Sequence, residues 1–272
     1  MTRHPAVAGY FYPGREQELL RLLGEMVDQE QESCEALAVI SPHAGYMYSG
    51  LVAGAVFSSV KIPDRVILLG PDHRAATSNF AVAASGTWIT PLGKVRIDSE
   101  LAADILNRSA GAEEEPSAHA QEHSLEVQVP FLQYLNPEVS IVPISCTYFA
   151  DFPQLQELGT ALADTVRARS DPVLIVASTD MSHQVPQETA RKKDFLAIDR
   201  ILELDARGLY DVVQQERISM CGFQASTAAL AAAVTLGAEQ AELIKYQTSG
   251  DTTGDFASVV GYAGIRIGRL PR

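Results

Sequence analysis

The sequence predicts an α/β fold, a single αβα domain with a mostly parallel central sheet. Two observations lead there. Apolar runs of strand length alternate with amphipathic segments of helix length along the chain. The strand runs are apolar throughout rather than at every second position, as strands covered on both faces are. Length agrees: 272 residues suit one large α/β domain or two small ones. No internal repeat or low-complexity tract divides the chain, so the reading is one domain over residues 1–272.

In chain order, Glu16 to Glu30 is the first amphipathic helix and Leu37-Ala38-Val39-Ile40 the first strand. Val66-Ile67-Leu68-Leu69 is the second strand, and Ser99 to Asn107 the next helix. Gly111 to Ser117 (GAEEEPS) is acidic and rich in small residues, and reads as a surface loop. Ile141-Val142-Pro143-Ile144 and Val173-Leu174-Ile175-Val176-Ala177 are strands, separated by a helix over Phe152 to Arg169. Two helices follow, Glu188 to Leu204 and the Ala-rich Ala225 to Leu236. Glu242 to Gln247 and Val259 to Ile267 close the fold as a hairpin or meander.

Composition excludes several functions. With 21 Lys+Arg against 34 Asp+Glu, the net charge is −13, and the long-range field repels polyanions. Nucleic acid is therefore not an expected partner. No window approaches ~18 uninterrupted apolar residues, so no membrane span is expected. The opening MTRHPAVAGYFYPG has no sustained apolar run and does not read as a signal peptide. Three scattered cysteines make no disulfide framework, which points to a reducing cytoplasm.

The informative feature is where the polar residues fall. The run ending at Ile40 leads into Ser41-Pro42-His43-Ala44-Gly45-Tyr46. The run ending at Leu69 leads into Gly70-Pro71-Asp72-His73-Arg74, and that ending at Ala177 into Ser178-Thr179-Asp180-Met181-Ser182-His183. Three of the six histidines thus lie just past strand C-termini, the edge at which open α/β sheets bind ligands. Each alone could be an ordinary loop or capping residue. Pro42 and Pro71 stiffen the turns, as a preorganised site requires.

His123 lies in Glu122-His123-Ser124-Leu125-Glu126. If that segment is helical, His123 and Glu126 share a face; alternatively Ser124 is an N-cap with Glu126 and Gln128 in the first turn. His4 and His119 read as solvated. Cys221 precedes the Ala-rich helix, where the helix dipole favours a thiolate; the competing reading is a small buried core residue. Cys34 and Cys146 fit that second description better. There is no G-x-G-x-x-G, no GK[ST], no nucleophile elbow and no H-E-x-x-H. Two neutral imidazoles with a thiolate or carboxylate would hold one divalent transition metal and leave positions open.

These residues also resemble a known family. Arg3 with Pro5 to Pro13 (PAVAGYFYP), and Pro42-His43-Ala44-Gly45-Tyr46 with Tyr48-Ser49-Gly50, are similar to the opening motifs of the Memo family. Its members are also called the B proteins of the AmmeMemoRadiSam system. Leu69 to His73, Trp88 with Thr90 to Gly93, Glu122 to Glu126, Asp180 to His183 and Cys221-Gly222 continue the likeness in order. Phe223-Gln224 departs from some relatives. The resemblance implies a fold similar to the class III extradiol ring-cleaving dioxygenases, which hold non-haem Fe(II). It implies His43, His73 and Cys221 as metal ligands, with Cys221 where dioxygenases keep a carboxylate. It further implies His183 as an acid–base histidine beside Asp180. His123 and Glu126 complete the catalytic candidates.

Three functions follow as expectations. The first is a metal-dependent oxidoreductase using iron, with copper or zinc as alternatives. The second is a zinc hydrolase-like enzyme, because two His, one Cys and a water also form a catalytic zinc set. The third is a non-enzymatic binding or adaptor protein acting with radical SAM and AMMECR-like partners, its ligand a small molecule or a peptide.

Overall fold

The computed structural model describes residues 1–74 and 78–270. Five parallel strands form the middle of an open sheet, in the order Gly93–Ile97, Ser140–Cys146, Arg65–Pro71, Val173–Ser178 and Ala38–Ser41. Past Ala38–Ser41 the sheet turns antiparallel: Val259–Gly268 pairs there, and also pairs with Gln240–Thr248 and His183–Val185. At the other edge Thr87–Thr90 runs antiparallel to Gly93–Ile97, and the short strand Thr2–Arg3 lies beside it in parallel.

The continuous apolar runs have a simple cause. Successive strand side chains point to opposite faces, and here each face has its own core. Ile67, Leu69, Ile175 and Ala177 face the helices Phe152–Arg167, Gln187–Leu202, Ala206–Gln215 and Phe223–Thr235. Val66, Leu68, Leu174 and Val176 face Glu16–Met26, Tyr46–Ser58 and Val129–Leu135. Each fully buried Leu, Ile or Val contributes roughly 1.5–3 kcal/mol, so a polar substitution at Leu68 or Leu69 would lose that and strand a polar group.

Three expectations change. Tyr46–Ser58 is a helix, although its sequence is apolar and small all round and so has no amphipathic period. It packs tightly enough that a Cβ on Gly54 would lie 2.1 Å from the Met26 carbonyl oxygen. Ala206–Gln215 is a further helix. The GAEEEPS patch is no simple loop: Ala112–Glu114 pairs in parallel with Phe80–Val82, and Pro116–His119 forms a 3-10 turn. Backbone pairing fixes that strand while Glu113 and Glu114 stay exposed. Among the described residues, no helix is long and apolar enough to cross a membrane.

Candidate metal centre

His43 follows the strand Ala38–Ser41, and His73 follows Arg65–Pro71. Cys221 comes from a separate segment, just before the helix Phe223–Thr235. That approach needs glycine: a Cβ on Gly222 would sit 2.3 Å from the Ser178 carbonyl oxygen. The Gly222 N–H donates to Thr179 Oγ1 (2.9 Å) and the Asp180 N–H to Cys221 Sγ (3.3 Å), seating the cysteine on the strand end. His43, His73 and Cys221 each offer a donor atom, and the three lie within 4.8 Å of one another. Cys221 Sγ is 3.2 Å from His43 Nε2. His43 is buried, whereas the His73 side chain is 33% exposed and marks the open side.

The hydrogen bonds fix which nitrogen each ring presents. Ser178 Oγ donates its single proton to the Ser124 carbonyl (2.7 Å) and accepts from Gln128 Nε2 (2.8 Å). His43 Nδ1, 2.9 Å from the same oxygen, must therefore be the donor. Its Nε2 is left with a lone pair. His73 Nδ1 lies 3.0 Å from Glu122 Oε1, which as an ionised carboxylate can only accept, so His73 donates from Nδ1 and presents Nε2. Glu122 further accepts from the backbone N–H groups of His73 (2.8 Å), His123 (2.9 Å) and Ser124 (2.9 Å). A carboxylate–histidine pair of this kind orients a ligand ring.

Electrostatics separate the three groups. Burial, with the neighbouring His123 and His73, pushes the His43 pKa well below the ordinary imidazole range. For His73 burial works the same way, but the hydrogen bond and charge of Glu122 outweigh it and the pKa rises. Burial opposes ionisation of Glu122 too, yet His73 and the backbone donors hold it well below the usual carboxylate range. The Cys221 thiol is pushed up, by burial first and by the Asp180 charge second. The expectation of a dipole-favoured thiolate thus fails. Cys221 precedes Gly222, the N-cap, and lies outside the first helical turn. A cation at the site would have to displace its proton.

His123 joins the cluster. Its ring stacks on His73 (4.9 Å between centroids, 16°) and meets His43 edge-on at 5.5 Å. His183 comes from the third strand end; its field acts on His43 and Asp180. His183 Nδ1 lies 2.8 Å from the Met181 carbonyl and 2.9 Å from that of Ser219, so Nδ1 carries the proton and Nε2 is free. Carbonyls, not Asp180, orient that ring. Asp180 instead accepts the His43 backbone N–H (2.8 Å), and burial raises its pKa.

Glu126 goes elsewhere. It accepts from the N–H groups of Ala6 (2.7 Å) and Val7 (3.0 Å) and from the Tyr12 hydroxyl (2.7 Å), and pairs with Arg3 at 2.7 Å. Arg3 also donates to the carbonyls of His119 and Glu122, each at 2.7 Å, and lies over the Trp88 ring. The shared helical face for His123 and Glu126 does not form, because His123 precedes the 3-10 turn Glu126–Gln128. Ser124 is no N-cap, since its hydroxyl lies 3.4 Å from the Pro71 carbonyl. His119 is not solvated but 1% exposed, with Nε2 3.0 Å from the Ala81 carbonyl. Cys34 is exposed and Cys146 buried.

Sequence reading missed Glu122, Ser178 and Gln128 as supports of the site. It also missed Asp194, a fully buried carboxyl that accepts from the Ser182 N–H (2.9 Å) and the Tyr246 hydroxyl (2.7 Å). The only signal for Glu122 was its place beside His123.

The family model described as Memo-like protein matches residues 3–266. A MEMO1 family protein of Methanopyrus kandleri is 39% identical, covering 97% of this chain and 98% of its own. One from Aquifex aeolicus is 41% identical over the same shares. Among solved structures, an uncharacterized protein from Escherichia coli K12 superposes with a TM-score of 0.58 at 15% identity, covering 85% of this chain and 99% of that one. That likeness is one of fold.

Proposed function

The chain belongs to the Memo-like family, and from that premise we propose that it is a metal-dependent redox enzyme whose His43, His73 and Cys221 hold one iron ion. The observation that carries this is the convergence of three donors from separate segments within 4.8 Å. The donor set fits: both imidazoles have Nδ1 occupied, by Ser178 or Glu122, which turns Nε2 towards the centre. Two nitrogens and one sulfur leave positions for a substrate. Iron is preferred over copper or zinc on the resemblance to the class III extradiol dioxygenases.

When bound, the metal would supply redox and Lewis-acid chemistry at those open positions. The chain's own residues supply the rest. Glu122 holds the His73 ring in place, and Asp180 holds the His43 backbone. His183 Nε2 can take a proton from a substrate or return it, its other nitrogen being fixed by two carbonyls. A reducing cytoplasm suits a site that needs Cys221 as a free thiol.

Elemental analysis of anaerobically purified chain tests the reading. About one iron per chain is expected, falling strongly in Cys221→Ser and unchanged in Cys34→Ser and Cys146→Ser. Stoichiometric zinc in place of iron would turn the reading to a hydrolase-like site. Equal metal in all three variants would remove Cys221 from the ligand set.

A further inference from the structure

Asp194, on the helix Gln187–Leu202, is a fully buried carboxyl outside the donor cluster. Burial raises its pKa, and its hydrogen-bond donors and the field of His183 oppose that rise. The neighbouring strand makes room for it: a Cβ on Gly261 would lie 2.0 Å from Asp194 Oδ2. Each oxygen accepts, Oδ1 from the Ser182 N–H (2.9 Å) and Oδ2 from the Tyr246 hydroxyl (2.7 Å), which is the pattern of an ionised carboxylate.

The Ser182 N–H and the Met181 carbonyl belong to one peptide group. Asp194 holds its N–H end, and its carbonyl end takes the Nδ1 proton of His183 (2.8 Å). We propose that Asp194 is the positioning carboxylate of His183, acting through the Met181–Ser182 peptide to keep the proton on Nδ1 and leave Nε2 basic. The proposal rests on the reading of His183 as an acid–base group, to which it adds the residue that sets that group.

A negative charge at the N–H end of a peptide draws that proton and makes the carbonyl oxygen a stronger acceptor, so the two hydrogen bonds reinforce each other. The planar peptide fixes its two ends relative to one another. The strand Val259–Gly268 fixes the peptide in turn. The Met181 N–H donates to the Gly261 carbonyl (2.8 Å), and the Gly261 N–H to the Ser182 carbonyl (2.9 Å). The Ser219 carbonyl shares the His183 proton (2.9 Å), so the ring cannot turn over without losing two acceptors.

NMR on the isotope-labelled full chain tests the proposal, with zinc present as a diamagnetic substitute for iron. In the wild type His183 should carry its proton on Nδ1, with a through-hydrogen-bond coupling from Nδ1 to the Met181 carbonyl carbon. Asp194→Asn keeps an acceptor for the Ser182 N–H and removes the charge. The Nδ1 proton should then move upfield and exchange with solvent roughly threefold faster. A carboxylate that only held the loop would be replaced by Asn without that change. Asp199→Asn makes the same charge change at an exposed position of the same helix and should leave the signal in place. If Asp194→Asn does not fold, Tyr246→Phe decides: freed of one donor, the carboxylate grips the Ser182 N–H harder, and the His183 proton should move downfield. An unmoved proton in the deciding variant, or no coupling to Met181 in the wild type, overturns the proposal. Iron is measured on the same wild-type preparation before zinc is added. Iron bound with a His183 signal indifferent to Asp194 sinks this proposal alone; an Asp194-dependent signal without iron sinks the metal reading alone.

Discussion

Glu122 and Glu126 lie one helical turn apart in sequence, and each is 1% exposed, yet they serve different regions. Glu122 turns to the strand ends and gathers the N–H groups of His73, His123 and Ser124 together with the His73 ring. Glu126 turns to the N-terminal segment and gathers Arg3, Ala6, Val7 and Tyr12. Burial of a carboxylate does not identify a catalytic group; its partners do. Glu122 is surrounded by groups with unspent coordinating nitrogens, whereas every partner of Glu126 is a structural donor. The first positions the His73 ring and the second ties the N-terminal segment to the sheet edge.

The sharpest way to break that contrast is Glu126→Gln. It leaves the buried Arg3 guanidinium without its counter-charge, and a loss of about 3–5 kcal/mol is expected in urea unfolding. The folded fraction should keep its metal stoichiometry. If metal is lost while stability holds, Glu126 belongs to the site after all.

The clamp region also predicts a pH effect. Burial lowers the His119 pKa to about 4 from an ordinary value near 6.5. Between those two values the unfolded chain binds a proton that the folded chain refuses, so stability falls as pH falls. Relative to His119→Gln, the wild-type chain should lose about 3 kcal/mol between pH ~6.5 and ~4. Parallel pH–stability curves for the two proteins would exclude a buried neutral imidazole.

On the site side, Glu122→Gln should reduce metal affinity about 10–100-fold through the His73 ring. Its cost in folding stability should be smaller than that of Glu126→Gln. Ser178→Ala removes the acceptor of His43 Nδ1–H and should cost about 1 kcal/mol, with a few-fold loss of metal affinity. Competition against a chelator of known affinity measures both. Larger stability losses here than at Glu126 would reverse the assignment of the two regions.

The parallel sheet was readable because each strand faces two cores and so spells an unbroken apolar word, as in Val66 to Leu69. His43 and His73 were readable as candidates because strand ends share one edge, whereas Cys221 as their companion came from the family resemblance; the three donor atoms lie within 4.8 Å of one another. The Tyr46–Ser58 helix was not, because a helix buried on most sides has no polar face to mark its period. The separate destinations of Glu122 and Glu126 were hidden for another reason. An i, i+4 pair shares a face only in a regular helix, and here the regular turn begins after His123. His119 was misread because nothing local shows that Arg3 takes its carbonyl from 116 positions away.

That long reach has a kinetic consequence. Arg3 and the Glu122 carbonyl are separated by 119 positions in sequence. Closing so long a loop is entropically costly until intervening structure brings its ends together. The N-terminal strap is therefore expected to dock after the sheet has formed. Because it grips the peptide of Glu122, the geometry of the His73 ring is set at that same late moment. Metal uptake should then coincide with the slowest folding phase, measurable by stopped flow, and not with early collapse.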